Sequence, residues 1–253
     1  MSKYKKVEFY KVKDKSEKYY TDKGRLFNIP FKLIINGKSQ LSGKTSKILN
    51  LLLQDDPRLY KKDFDGENIY IISTSANSDP KLRTLIREKD IPDSNIFTDY
   101  DEESLEVIYE FVEEQYEKAV EEKEKPPNFL WIIDDMGFDR NIKKGQNYSV
   151  LAKAFCNGRH INLSTILTSQ RISQLLSTCR ENATAKILFS VSKKQLELIE
   201  ADDNYLGDKK LFRKLFRDHK KNKYDFLVVN YSNEYDEMYL DKNFVPIDIG
   251  KYK

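Results

Sequence analysis

Apolar residues in this chain fall into short dense runs separated by polar, turn-forming stretches, and the period of each run indicates its element. Phe31, Leu33, Ile34 and Ile35 suit a strand buried on both faces. After a Gly/Ser-containing turn, Ile48, Leu49, Leu51, Leu52 and Leu53 are dense enough for a buried helix, which Asp55-Asp56-Pro57 stops. Asn68 to Ser73 reads as a second strand. A helix is expected from Asp79-Pro80-Lys81 through Ile86, capped by Asp79 or Ser78. Residues 91–97 read as a short strand or loop. Ser104 to Glu124 reads as a long amphipathic helix on Leu105, Ile108, Phe111, Val112 and Ala119, ended by Pro126-Pro127. Phe129-Leu130-Trp131-Ile132-Ile133 is an uninterrupted apolar run, a strand with no solvent face. A helix over Ser149 to Asn157, with Gly158 as its C′ residue, leads to a buried strand from Ile161 to Gln170. Further on come a strand at 186–191, a helix from Ser192 to about Ile199, and a basic amphipathic helix over Asp208 to Lys221. Residues 224–230 and 237–240 read as a closing pair of strands.

Strands alternating with helices predict an α/β fold: three layers, a mostly parallel sheet, helices on both faces and antiparallel strands at the end. The 253 residues suit one large domain over 26–245. Residues 1–25, rich in Lys and Tyr, read as an arm, and residues 246–253 as a tail.

Two segments carry chemistry. In the first, an apolar strand precedes Gly43-Lys44-Thr45 and a buried helix follows, the context of a phosphate-binding loop. Backbone N–H groups at the helix start point at phosphates, and the helix dipole favours negative charge there. Nucleotide contacts are expected from Lys38, Ser39, Gln40, Leu41, Ser42, Gly43, Lys44, Thr45 and Ser46. Lys44 would reach the β/γ-phosphates, and the Thr45 hydroxyl would ligate Mg²⁺. The usual pattern has Gly five positions before Gly43, where this chain has Lys38; Gly37 stands one position too early. Either the loop has one extra residue, or Lys38 fills the slot with negative φ. In the second segment, Asp134 and Asp135 end the strand 129–133, where open parallel sheets bind ligands. Asp134 would join the Mg²⁺ shell, and Asp135 would orient or deprotonate the attacking water. Gln170, ending another buried strand, can bond both that water and the γ-phosphate.

Bulk properties narrow the reading little. Charged residues make up 34% and the net charge is +3, so no strong global field selects a partner. Cys156 and Cys179 have no metal spacing, suit core positions and point to a reducing compartment. No run approaches the roughly 20 apolar residues of a membrane span, and the basic N-terminus lacks a signal peptide's apolar region. The Lys/Tyr-rich arm could touch nucleic acid or strap onto a neighbouring subunit. The basic helix could face DNA, or pack on the sheet with a solvated outer face.

Gly43-Lys44-Thr45, Leu130 to Asp135, Gly158-Arg159-His160, Leu167-Thr168-Ser169-Gln170, and Arg180-Glu181-Asn182 before Ile187-Leu188-Phe189 follow each other in an order that resembles the FtsK/HerA superfamily of P-loop ATPases. They are most similar to its viral genome-packaging branch of the poxvirus type. The resemblance implies ATP hydrolysis with Mg²⁺, a homo-oligomeric ring (pentamer or hexamer), and translocation of double-stranded DNA into a preformed capsid. It also implies a capsid or portal-vertex partner, and action in the host cytoplasm or viral factory, with virion association open. In such rings an arginine reaches the neighbour's γ-phosphate; Arg159 fits best, Arg180 second and Arg140 third. The alternatives are a cellular HerA-like or conjugative DNA-pumping ATPase, an assembly protein that binds nucleotide without hydrolysing it, and a small nucleotide kinase.

Overall fold

The computed structural model describes residues 16–38, 42–136 and 149–252. Strand β1 (Lys32–Asn36) leads into α1 (Lys44–Leu53); β2 (Ile69–Ile72) precedes α2 (Pro80–Lys89); β3 (Ile96–Phe97) precedes α3 (Glu102–Glu121). Then come β4 (Phe129–Ile133), α4 (Val150–Asn157), β5 (Leu163–Ser169), the short α5 (Ser177–Glu181), β6 (Ala185–Leu188), α6 (Lys193–Asp203), α7 (Lys209–Asp218), β7 (Leu227–Asn230) and β8 (Tyr239–Leu240).

Among the described residues these strands form one sheet in the order β3-β2-β4-β5-β1-β6-β7-β8. All neighbours up to β6 are parallel; β7 and β8 close the sheet antiparallel. Side chains along each strand alternate between the two faces, and the core divides accordingly. Phe129, Trp131 and Ile133 pack with Leu105 and Tyr109 of α3 and Leu151 and Phe155 of α4, whereas Leu130 and Ile132 pack with Ile48 and Leu51 of α1 and Leu85 of α2. The three-layer α/β reading holds. Because β5 lies between β1 and β4, the C-terminal ends of all three converge at one edge.

Some local readings change. Gly158 is not a left-handed C′ residue: it keeps right-handed helical geometry (φ −51°) and continues into a 3₁₀ turn, and Asn162 (φ 56°) reverses the chain instead. Asn162 can do so because its side-chain amide donates to the Pro127 carbonyl at 2.8 Å and to Asn128 Oδ1 at 2.8 Å. In α3, Phe111 is exposed and Tyr109 takes the buried place. Residues 246–252 are not a free tail. Ile247, Ile249 and Tyr252 join the core beside α7, and Tyr252 donates to Asp218 at 3.2 Å. Three apolar residues among polar ones carry no period, so the sequence alone shows no element there. Within the expected arm, Thr21 bridges to Ile29 and the Tyr19 ring meets Tyr116 edge-on. The basic helix α7 buries Phe212, Leu215 and Phe216 and leaves its cations outside, where Arg213 pairs with Glu200 at 2.5 Å. Of the two cysteines, Cys179 is buried in the core as expected, but Cys156 is exposed. No described helix is long and apolar enough to cross a membrane.

Candidate nucleotide site

At the edge where β1, β4 and β5 end, a cleft of about 310 Å³ is lined by Ser42 to Ser46, Ser75, Asp79, Lys81, Asp134, Asp135 and Tyr224. Its floor is the start of α1. Gly43 precedes that helix at φ 73°, a left-handed conformation that glycine adopts without strain. No side chain caps α1. By contrast, Asp79, Asp101, Ser149, Ser192 and Asp208 cap α2, α3, α4, α6 and α7. The first N–H groups of α1 are therefore left to an external acceptor, in the geometry that binds phosphate.

The start of the loop is fixed at Gly37. A Cβ there would lie 2.6 Å from Phe189 Cβ and 2.7 Å from Ser42 Cβ, so glycine is required for close approach. Lys38 is not among the described residues with positive φ. The loop thus opens on Gly37 and carries one residue more than the usual pattern. Ser39, Gln40 and Leu41 lie outside the described residues.

Lys44 is buried, and its Nζ donates to the Gly37 carbonyl at 3.0 Å. Burial pushes its pKa down, while Asp135 and Asp134 pull it back up. Asp134 is 2% exposed and ties both halves of the site together. Its Oδ2 accepts from Thr45 Oγ1 at 3.0 Å, and its Oδ1 accepts from Thr168 Oγ1 at 2.6 Å. Burial raises the Asp134 pKa above the ordinary carboxylate range, and the two hydroxyl bonds partly offset this. Asp135 follows at φ 56°, a strained geometry for a non-glycine residue. Its N–H donates to Thr168 Oγ1 at 3.0 Å, and its Oδ1 accepts from Gln170 Nε2 at 2.7 Å. Lys44, Thr45, Asp134, Asp135 and Gln170 thus stand together, as the sequence motifs require. The Thr45 hydroxyl and Asp134 carboxylate form an all-oxygen pair suited to a hard cation such as Mg²⁺.

The arginines are elsewhere. Arg159 is exposed on the 3₁₀ turn before β5. The seven residues of β5 span about 20 Å, so Arg159 sits at the far edge of the sheet from the cleft. Arg180 precedes β6 at that same edge, where Asp202 holds it at 2.5 Å. Arg140 lies outside the described residues. Sequence reasoning missed Thr168, which bridges both carboxylate positions, and the cleft walls Ser75, Lys81 and Tyr224. Thr168 sits in a run of strand-forming residues that marks none of them as special, and Asp79 showed only as a helix cap.

The profile of a family described as "Poxvirus A32 protein" matches residues 17–241. No curated protein sequence matches the chain. Among solved structures, the genome packaging NTPase B204 of Sulfolobus turreted icosahedral virus 2 in complex with AMP is similar, with a TM-score of 0.53 and 16% identity over 80% of this chain and 93% of that one. The same protein in complex with ATP-gammaS gives 0.50 and 16%, over 79% and 92%. EssC (ATPases 2 and 3) from Geobacillus thermodenitrificans gives 0.54 and 16%, over 87% of this chain and 40% of that one. At such identities the likeness is one of fold.

Proposed function

Because the chain belongs to the poxvirus A32 protein family, the viral DNA-packaging ATPases, we propose that it holds ATP with Mg²⁺ in the cleft at the ends of β1, β4 and β5 and uses hydrolysis to drive double-stranded DNA into a capsid. The observation that carries the site assignment is Asp134, bonded at once to Thr45 of the loop helix and Thr168 of β5.

Each residue has a task. The open N–H groups of α1 and the Lys44 ammonium receive the phosphates, with Lys44 exchanging the Gly37 carbonyl for a phosphate oxygen. Thr45 and Asp134 would hold Mg²⁺, which when bound offsets charge on the phosphates. Thr168 fixes the Asp134 carboxylate and the backbone of Asp135. Asp135 accepts a proton from the attacking water or orients it. Gln170 holds Asp135 before hydrolysis, and on sensing the γ-phosphate it would pass the change along β5.

Arg159 and Arg180 sit about a strand's length from their own cleft, so in this fold they can serve only a nucleotide bound by another subunit. A ring that presents the far sheet edge of one subunit to the cleft of the next accounts for both. Arg159 is the stronger candidate because it is exposed and has no carboxylate partner among the described residues; Arg180 would first have to leave Asp202. Double-stranded DNA and a capsid or portal-vertex protein are the partners, and the viral factory in the host cytoplasm is the place of action.

Phosphate release by the purified protein, measured with and without double-stranded DNA, tests this reading. Stimulation by DNA is expected. Release that DNA leaves unchanged would contradict a translocating motor, and no release at all would favour an assembly protein that only binds nucleotide.

A further inference from the structure

The outer side of α3, away from its buried Leu105, Ile108 and Val112, carries one stripe. Glu103, Val107, Glu110, Phe111 and Glu114 recur at spacings of three and four, within about 100° of one another around the helix axis. Val107 is 65% exposed and Phe111 44%. The three carboxylates have no cation partner among the described residues; the ion pair of Glu106 with Lys153 at 2.7 Å lies off the stripe. Glu110 and Glu114 stand one turn apart, where like charges repel. Two apolar side chains thus sit in water amid unpaired negative charge.

The chain also carries the complement of this stripe. A groove of about 460 Å³ lies between the C-terminal half of α1 and the β7–β8 pair. It is floored by Phe226 and Phe244, surrounded by Arg25, Lys47, Arg58 and Lys242, and lined by no carboxylate. Lys242 pairs with Asp225 at 2.9 Å, but Arg25, Lys47 and Arg58 have no carboxylate partner among the described residues. Lys47 is only 8% exposed, its ammonium held 4.6 Å and 4.7 Å from the Phe226 and Phe244 ring centroids. Burial pushes its pKa down to about 8, the cost of an ammonium kept without a counter-ion.

We propose that the groove receives α3 of a second copy of this chain. Val107 and Phe111 seat toward Phe226 and Phe244, and the α3 carboxylates meet Arg25, Lys47 and Arg58. Apolar anchors at the centre with paired charge around them are the arrangement of a specific interface. The opposite signs also steer the encounter and fix its register. No copy can fill its own groove. The helix packs over β2 and β4 on one face of the sheet, whereas the groove lies beside β7 and β8 on the other. The contact is therefore head-to-tail, the kind that builds rings or filaments. Neither surface shares a residue with the nucleotide cleft, so the inference stands apart from that assignment.

Sedimentation velocity of the full-length protein over a range of concentrations tests it. One variant reverses the helix, Glu110→Lys with Glu114→Lys; another reverses the groove, Arg25→Glu with Arg58→Glu. Each alone should self-associate about a hundredfold more weakly than wild type. Mixed in equal amounts, the two should associate again, because reversed helix then meets reversed groove and unaltered helix meets unaltered groove. If a reversal disturbs the near-ultraviolet circular dichroism, Glu110→Gln with Glu114→Gln takes its place, with association expected to weaken about tenfold. Variants that associate alone as strongly as wild type would overturn the proposal. So would folded reversal variants that stay apart when mixed, which would give α3 a different partner, and so would a wild type that is monomeric at every concentration.

Discussion

Thr45 and Asp134 are 89 positions apart in the chain, yet the Thr45 hydroxyl donates to the Asp134 carboxylate at 3.0 Å. The contact is possible because β5 separates β1 from β4 by a single strand and the parallel register brings their C-terminal ends level. It turns two short sequence signals into one oxygen-lined site.

The charge on Asp134 is costly without a bound cation, and Asp134→Asn exposes that cost. The folded-state pKa is raised by burial. The folded protein therefore keeps this proton to higher pH than the unfolded chain does. The resulting stability is complete below the ordinary Asp value of about 3.9 and is lost as pH rises through the raised value. Asp134→Asn should melt above wild type near neutral pH when nucleotide and metal are withheld. The difference should shrink as the pH falls toward about 4. The same substitution should abolish phosphate release. Scanning calorimetry across that range checks the first statement; a melting difference independent of pH would refute it.

Thr168→Val keeps the β-branched shape but removes the hydroxyl that holds Asp134 Oδ1 and the Asp135 N–H. A lost partner of this kind typically costs roughly 10- to 100-fold in activity or metal affinity. The turnover number should fall by that order. Stability should fall by about 1 kcal/mol, because a half-buried N–H and the Asp134 carboxylate each lose a hydrogen-bond partner. Steady-state kinetics and chemical denaturation on one preparation measure both.

Gly37 and Lys38 offer opposite outcomes. Gly37→Ala places a methyl group 2.6 Å from Phe189 Cβ and should cost about 1–3 kcal/mol while weakening ATP binding. Lys38→Gly should change stability by under about 1 kcal/mol, since no left-handed φ requires glycine there. If the two variants exchanged these effects in denaturation and ATP titration, Lys38 would be the first residue of the loop pattern after all.

The exposed Arg159 should act between subunits. Arg159→Ala should lower phosphate release without weakening ATP binding. Mixed with Asp134→Asn subunits, it should recover part of the activity, because some interfaces then pair an intact cleft with an intact arginine. Absence of recovery in the mixture, with oligomers confirmed by light scattering, would shift the role to Arg180 or Arg140.

Legibility followed physical cause. Phe129 to Ile133 declared its strand because a run with no polar face has one stable place in an α/β domain, the middle of the sheet. Lys44, Thr45, Asp134, Asp135 and Gln170 were readable because each ends or begins an element at the ligand-binding edge. Thr168 was not: its hydroxyl matters through partners on other strands, and no sequence period reports those. Lys186, inside β6, would ordinarily mark an exposed position. It is 1% exposed because Asp203 of α6 accepts its charge at 2.6 Å. Asn162 took the reversal expected of Gly158 through amide bonds to Pro127 and Asn128, which only the folded chain brings near.

A structure of the protein with Mg²⁺ and a non-hydrolysable ATP analogue tests the central claim most directly. It should show Lys44 Nζ moved from the Gly37 carbonyl to a phosphate oxygen, and Mg²⁺ about 2.0–2.1 Å from Thr45 Oγ1 with Asp134 beside it. A triphosphate bound elsewhere, or Lys44 still on Gly37 with the analogue present, would contradict it.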